Sequence, residues 1–87
     1  RMNPAKETKK VYIDVGAEFT PEGFLRPLWL IWEDGTRYEI DRVLHRERCA
    51  SRKAGGAGIM YTCMVRGHRI QLFYEENYRW FVTRSDP

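Results

Sequence analysis

Residues 27–49, PLWLIWEDGTRYEIDRVLHRERC, decide the fold. In an extended chain the first part puts Leu28, Leu30 and Trp32 on one side and Trp29 and Ile31 on the other. Side chains alternate faces along a strand, so apolar residues on both faces predict a strand that is covered on both sides or lines a curved barrel wall. Pro27 has no N–H to give a ladder and belongs at a strand start or on an edge. Asp34-Gly35 is the strongest short hairpin signal in the chain, because tight hairpin loops need residues that accept positive φ. The return strand runs from Thr36 to about Cys49. Tyr38 and Ile40 share a face, yet Val43 follows Ile40 by three residues instead of two. One extra residue near Asp41-Arg42 would restore the phase, so a β-bulge is expected there. It would also bend a long strand in the way a small barrel requires.

Upstream, residues 1–9 (RMNPAKETK) are polar and unpatterned and are expected to form a flexible tail, with Met2 as the natural start. From Lys10 the chain alternates, with Val11, Ile13, Val15, Ala17 and Phe19 on one face. Thr20-Pro21-Glu22-Gly23 carries turn chemistry. Downstream, SRKAGGAG (51–58) reads as a Gly-rich loop, and Ile59 to Arg66 as a cleanly alternating strand. Gly67-His68 is a turn. Arg69 to Glu75 is a strand with Ile70, Leu72 and Tyr74 inward. Glu76-Asn77 turns the chain into Tyr78–Arg84, with Trp80 and Val82 on one face and Arg79, Phe81 and Thr83 on the other.

The expected fold is therefore all-β: a six-stranded antiparallel meander over residues 10–84, curling into a small open or closed barrel, with residues 85–87 frayed. Short connections favour pairing of sequence neighbours, and pairing the first strand with the last removes exposed edges. The 87 residues allow one domain, and twelve aromatic residues can supply the dense core that so short a chain needs.

The longest apolar run, Leu28–Trp32, is too short to cross a bilayer, and the N-terminus lacks an apolar leader. The expectation is a cytoplasmic protein without a membrane partner. Cys49 and Cys63 form no close-spaced pair, which predicts reduced thiols, and Cys63 alternates with Ile59, Tyr61 and Val65 as a small buried hydrophobe. A metal site would have to draw Cys49, Cys63, His45 and His68 from distant strands, so none is expected. SRKAGGAG lacks the ordered lysine and hydroxyl of a phosphate loop and leads into a strand, so no cofactor is expected there. Ser51 and Ser85 have no base in an evident constellation, and Glu33-Asp34 and Glu75-Glu76 fall in predicted turns. Catalysis is not expected.

Net charge is +3, unevenly spread. Between residues 42 and 69 lie Arg42, Arg46, Arg48, Arg52, Lys53, Arg66 and Arg69 against Glu47 alone, giving +6 and leaving −3 for the rest. Such a segment points to an acidic partner unless cross-strand carboxylates neutralise it. Trp29, Tyr12, Phe73 and Phe81 are expected to face away from the main core, near Arg66, Arg69 and Arg79 in sequence. They would serve either as stacking platforms beside cations or as a minor core on the second face.

PLWLIWEDGTRYEIDRV, KAGGAGIMYTC and LFYEENYRWFV together resemble a family of small bacterial β-barrel-like proteins, a domain of unknown function. The resemblance spans roughly Val11 to Val82. It implies a small β-barrel-like fold, with Gly35 serving the turn and Trp80 and Phe81 the packing, and it implies no activity and no functional residue.

The functional expectation is a non-catalytic domain that binds single-stranded nucleic acid or a ribonucleoprotein through the seven basic residues of the 42–69 segment. The alternative is a protein-interaction module that uses an exposed strand edge or the same basic segment. A ligand site inside the barrel ranks last, because aromatic-filled strands leave little internal volume.

Overall fold

The structure, a computed structural model, describes residues 8–49 and 58–85, and the side chains of residues 9–49 and 58–84. The described residues form seven strands: β1 (Thr8–Phe19), β2 (Leu25–Ile31), β3 (Arg37–Glu39), β4 (Arg42–Cys49), β5 (Gly58–Val65), β6 (His68–Glu75) and β7 (Arg79–Ser85). All pairings are antiparallel, in the order β3-β2-β1-β7-β6-β5-β4, and the sheet curls into a half-barrel. Among the described residues no helix is long and apolar enough to cross a membrane.

The all-β antiparallel expectation holds, with one strand more than the sequence suggested. The extra strand comes from splitting the segment after the Asp34-Gly35 turn. β3 pairs with β2, β4 pairs with β5, and only Ile40 and Asp41 lie between. The Ile40 N–H donates to Leu28 O at 2.9 Å, and the Asp41 N–H to Met64 O at 2.8 Å. One continuous stretch thus leaves one edge of the sheet and joins the other. Ile40 and Val43 both pack against the core, as expected. The expected bulge at Asp41-Arg42 is instead this change of partner, and the extra residue sits further on. The register jumps from Val43↔Cys63 to His45↔Thr62, leaving Leu44 unpaired.

The first and last strands pair, Thr8↔Ser85 through Ile13↔Trp80. That corrects both expected ends: Thr8 and Lys9 belong to β1 and not to a tail, and Ser85 belongs to β7. Residues 1–7, 86 and 87 lie outside the described residues, as does 50–57, most of the predicted Gly-rich loop; its last residue, Gly58, opens β5.

The core lies on the concave face. Val11, Tyr61, Cys63, Leu72, Trp80 and Val82 are buried together, with Ile13, Val15, Leu25, Trp32, Ile59, Ile70 and Tyr74 packed around them. A second register shift, at Gly16/Ala17 against Trp29 and Pro27, skips Leu28 and changes the phase of β2 alone. Leu28 is therefore exposed while Pro27 is fully buried; Ala17 and Phe19 keep the face they were expected on, opposite Pro27 and Leu25, but the open end of the half-barrel leaves both exposed. Pro27 sits on the stretch of β2 that β3 does not reach, where its missing N–H breaks no ladder.

Between β5 and β6 the tight turn is Arg66-Gly67, one residue earlier than expected, closed by the pair Val65↔His68. Both residues have positive φ, 51° and 79°, which gives the backbone twist that two-residue hairpins favour. Arg66 is held in this unusual region by its backbone N–H, which donates to Asp41 Oδ2 at 2.9 Å.

The convex face is covered without helices, by cations lying on aromatic rings. Phe73 and Phe81 stack at 5.0 Å between centroids, and Tyr12 meets Phe81 edge-on at 5.7 Å. Lys10 Nζ lies 4.9 Å over Phe81, the Arg79 guanidinium 3.6 Å over Tyr12, and that of Arg37 4.5 Å over Trp29. Long cationic side chains shield apolar surface with their stems while their heads stay in water.

Glu75, although buried, is satisfied. It accepts from Lys10 Nζ at 2.8 Å and from Tyr12 Oη at 2.9 Å. The hydrogen bond from Lys10 holds the Glu75 carboxyl below its ordinary range, and the bond to Glu75 raises Lys10 above its own. The depressed carboxyl contributes stability above pH 4.5 that is lost as pH falls through its folded value. The raised ammonium contributes stability below pH 10.5 that is lost as pH rises through its folded value. Lys10→Met should therefore cost about 1–2 kcal/mol at pH 7, since it leaves a buried carboxylate short of a partner. In thermal unfolding from pH 8 to pH 3 the gap between variant and wild type should narrow below pH 4.5, once Glu75 is protonated. A gap independent of pH would refute the coupling.

Candidate functional site

Of the seven basic residues singled out from the sequence, the five described ones do not form one patch. The unpaired Leu44 is the reason. Without it His45 and Glu47 would continue the concave face behind Val43. With it, Arg46 stands opposite buried Tyr61 and Arg48 opposite Ile59, so both arginines turn to the concave side. Arg42 and Arg69 flank Met64 in register on the convex side. Arg66 lies at the β5–β6 turn, its guanidinium 5.3 Å over Tyr38. Arg52 and Lys53 fall outside the described residues, between Cys49 and Gly58, which are register partners.

Arg46 and Arg48 gain a context that the sequence did not show. They line a cleft of about 540 Å³ with Phe19, Phe24, Leu25, Glu47, Ile59 and Tyr74, between the β1–β2 turn and the end of β4 at the end of the half-barrel. The β1–β2 turn builds one wall. Thr20 N–H donates to Phe24 O at 2.7 Å, and the Phe24 N–H donates to Thr20 Oγ1 at 3.1 Å. Phe24 so fixed carries the Arg46 guanidinium at 3.8 Å from its ring centre. Phe19, 77% exposed, stands at the rim. The floor is tied by Tyr61 Oη, which donates to Leu25 O across the concave face; burial pushes this phenol up to about 12, so it stays a neutral donor.

Carboxylates meet only part of this charge. Arg48 Nη2 bonds Glu76 Oε2 at 3.0 Å. Glu47, which also lines the cleft, accepts from His45 Nε2 at 2.7 Å. An exposed ion pair such as Arg48–Glu76 is worth at most about 1 kcal/mol, so a phosphate can displace Glu76.

The convex aromatics are not open platforms. Phe81 is fully buried and Phe73 nearly so, while Trp29 and Tyr12 lie under arginines, which makes them the minor core of the second face. Phe24 likewise lies under Arg46, and Phe19 beside it is the open ring; neither was singled out. Phe19 was placed on the core face, and nothing in the local pattern marks that this face opens at the end of β1.

The metal candidates stay apart. Cys63 is buried, and its thiol is pushed up to about 11 by burial alone. His45 is engaged with Glu47, and His68 lies at the opposite end of the half-barrel. Among the described residues no three of His, Cys, Asp and Glu converge.

No family model, curated protein or solved structure matches this chain.

Proposed function

We propose that the domain binds single-stranded nucleic acid, weakly and without sequence preference, in the cleft lined by Phe19, Phe24, Arg46 and Arg48. The observation that carries this reading is the exposed Phe19 ring in one cleft with two arginines, one of them stacked on Phe24 at 3.8 Å. Bases stack on aromatic faces whatever their identity, and arginine contacts phosphate while stacking on a ring or base. Arg46 and Arg48 supply two phosphate contacts. Arg52 and Lys53, in the segment that joins β4 to β5, add two more.

Fluorescence anisotropy of a labelled oligothymidylate at low salt tests this. Four phosphate contacts give a fall of log affinity with log salt of about −3, and two contacts about −1.4. Phe24→Ala and Arg46→Glu should each weaken binding at least tenfold. Arg42→Glu and Arg69→Glu, which make the same charge changes on the convex face, should weaken it far less. Equal losses on both faces, or no saturation at high micromolar protein, would overturn the reading. Binding of a polyglutamate peptide with none of oligothymidylate would do so too, and would give the cleft to an acidic protein segment.

A further inference from the structure

The opposite end of the half-barrel holds a second cleft, of about 520 Å³, lined by Leu30, Trp32, Tyr38, Val65, Arg66, His68 and Ile70. It owes nothing to the nucleic-acid reading. Its body is apolar, its polar groups belong to Tyr38, Arg66 and His68, and among the described residues no carboxylate lines it. It also continues. β6 and β7 pair only from Phe73↔Phe81 to Glu75↔Arg79, so past Phe73 the two strands separate. A slot of about 310 Å³, lined by Trp32, Ile70, Gln71, Val82 and Thr83, opens there and shares Trp32 and Ile70 with the cleft.

We propose that this end of the half-barrel binds a small amphipathic anion, a carboxylate on a medium-length alkyl body. The Arg66 guanidinium takes the carboxylate, and the chain runs over Trp32 and Ile70 toward Val82. The nearby Asp41 carboxylate accepts the Arg66 backbone N–H at 2.9 Å. That bond fixes the turn, while the guanidinium lies over Tyr38 at 5.3 Å. Arginine stays charged at any working pH and presents paired donors to a carboxylate. The volume lies within the range of small-molecule sites, which combine apolar walls with a few placed polar groups.

Octanoate, 1-octanol and octylammonium share one alkyl body and differ in head charge, so they serve as probes. Titrations of the full chain are followed by tryptophan fluorescence and by saturation-transfer NMR of the probe. Octanoate should saturate and bind at least tenfold more tightly than octanol, with octylammonium weaker still. Arg66→Asn should abolish that preference. The fold should tolerate it, because Asn-Gly suits a turn with two positive φ values. Trp32→Phe should remove the fluorescence response, Trp29→Phe should retain it, and Arg46→Glu, in the other cleft, should leave octanoate affinity unchanged. Equal binding of octanol and octanoate, a preference that survives Arg66→Asn, or a response carried by Trp29 would each overturn the proposal.

Discussion

Phe81→Ala is expected to lower the unfolding free energy by about 3–5 kcal/mol. Phe81 lies on the convex face, where a strand in so small a domain would ordinarily meet water. It is nevertheless fully buried, stacked on Phe73, met edge-on by Tyr12 and roofed by Lys10. Removing the ring deletes one of the largest buried side chains and leaves the Phe73 face and the Lys10 stem without a bed. A domain of this size has a total stability of about 4–13 kcal/mol, so the variant would lose a large part of it. The expected fall in Tm is more than about 12 °C. Phe19→Ala is the control: that ring is 77% exposed, and its removal should change stability by less than about 0.5 kcal/mol. A loss below about 1 kcal/mol at Phe81 would show that the convex layer contributes no packing.

Gly16→Val should destabilise by about 3 kcal/mol, and the reason can be isolated by a double-mutant cycle. Gly16 is the register partner of Trp29, whose indole lies directly over it. A Cβ at Gly16 would sit 2.0 Å from Trp29 Cε2, closer than two carbons can approach. The ring cannot swing away freely, since Arg37 covers its other side at 4.5 Å. Valine's preference for strands and the smaller entropy of the unfolded chain favour the substitution by about 1 kcal/mol, too little to offset the overlap. In a Trp29→Ala background the overlap is gone, so Gly16→Val should become neutral or stabilising. Urea unfolding of the four proteins measures this. A penalty that persists without the indole would place the cause in the backbone of the β1–β2 register shift.

Both predictions depend on residues that the sequence placed correctly by face but not by environment. Alternation put Phe81 opposite Trp80 and Val82, and there it lies. What alternation does not report is which strand lies beside it, and the lateral neighbours Phe73 and Tyr12 are what bury the ring. The same holds for cations. Arg79 and Arg37 read as exposed charges along the chain, while in space they close the second face.

The candidate cleft shows the limit most clearly. The seven basic residues were legible as a run, and their number set the charge of the segment. Their distribution was not. The extra residue was expected at Asp41-Arg42, from the odd separation of Ile40 and Val43. That separation is met by the chain passing from β2 to β5, and the bulge falls at Leu44. Because side chains alternate with a period of two, this additional unpaired residue, in the strand after Val43, decides that Arg46 and Arg48 face the concave and not the convex side.

The sequence by itself determined the all-β antiparallel class, the approximate places of the turns and the apolar faces of β5, β6 and β7. These follow from alternation and from the residues that accept positive φ, both properties of a few neighbours. Tertiary structure alone decided where the two register shifts fall, which edge the stretch around Ile40 and Asp41 joins, and how far β6 and β7 stay paired. Those choices depend on the fit of whole strands to one another, such as the Trp29 indole on Gly16 or Tyr61 reaching Leu25 across the concave face, and no short window of sequence contains both partners. The two clefts lie at the open ends of the half-barrel, and the slot that continues one of them lies where β6 parts from β7, so tertiary structure also decided where a ligand can enter.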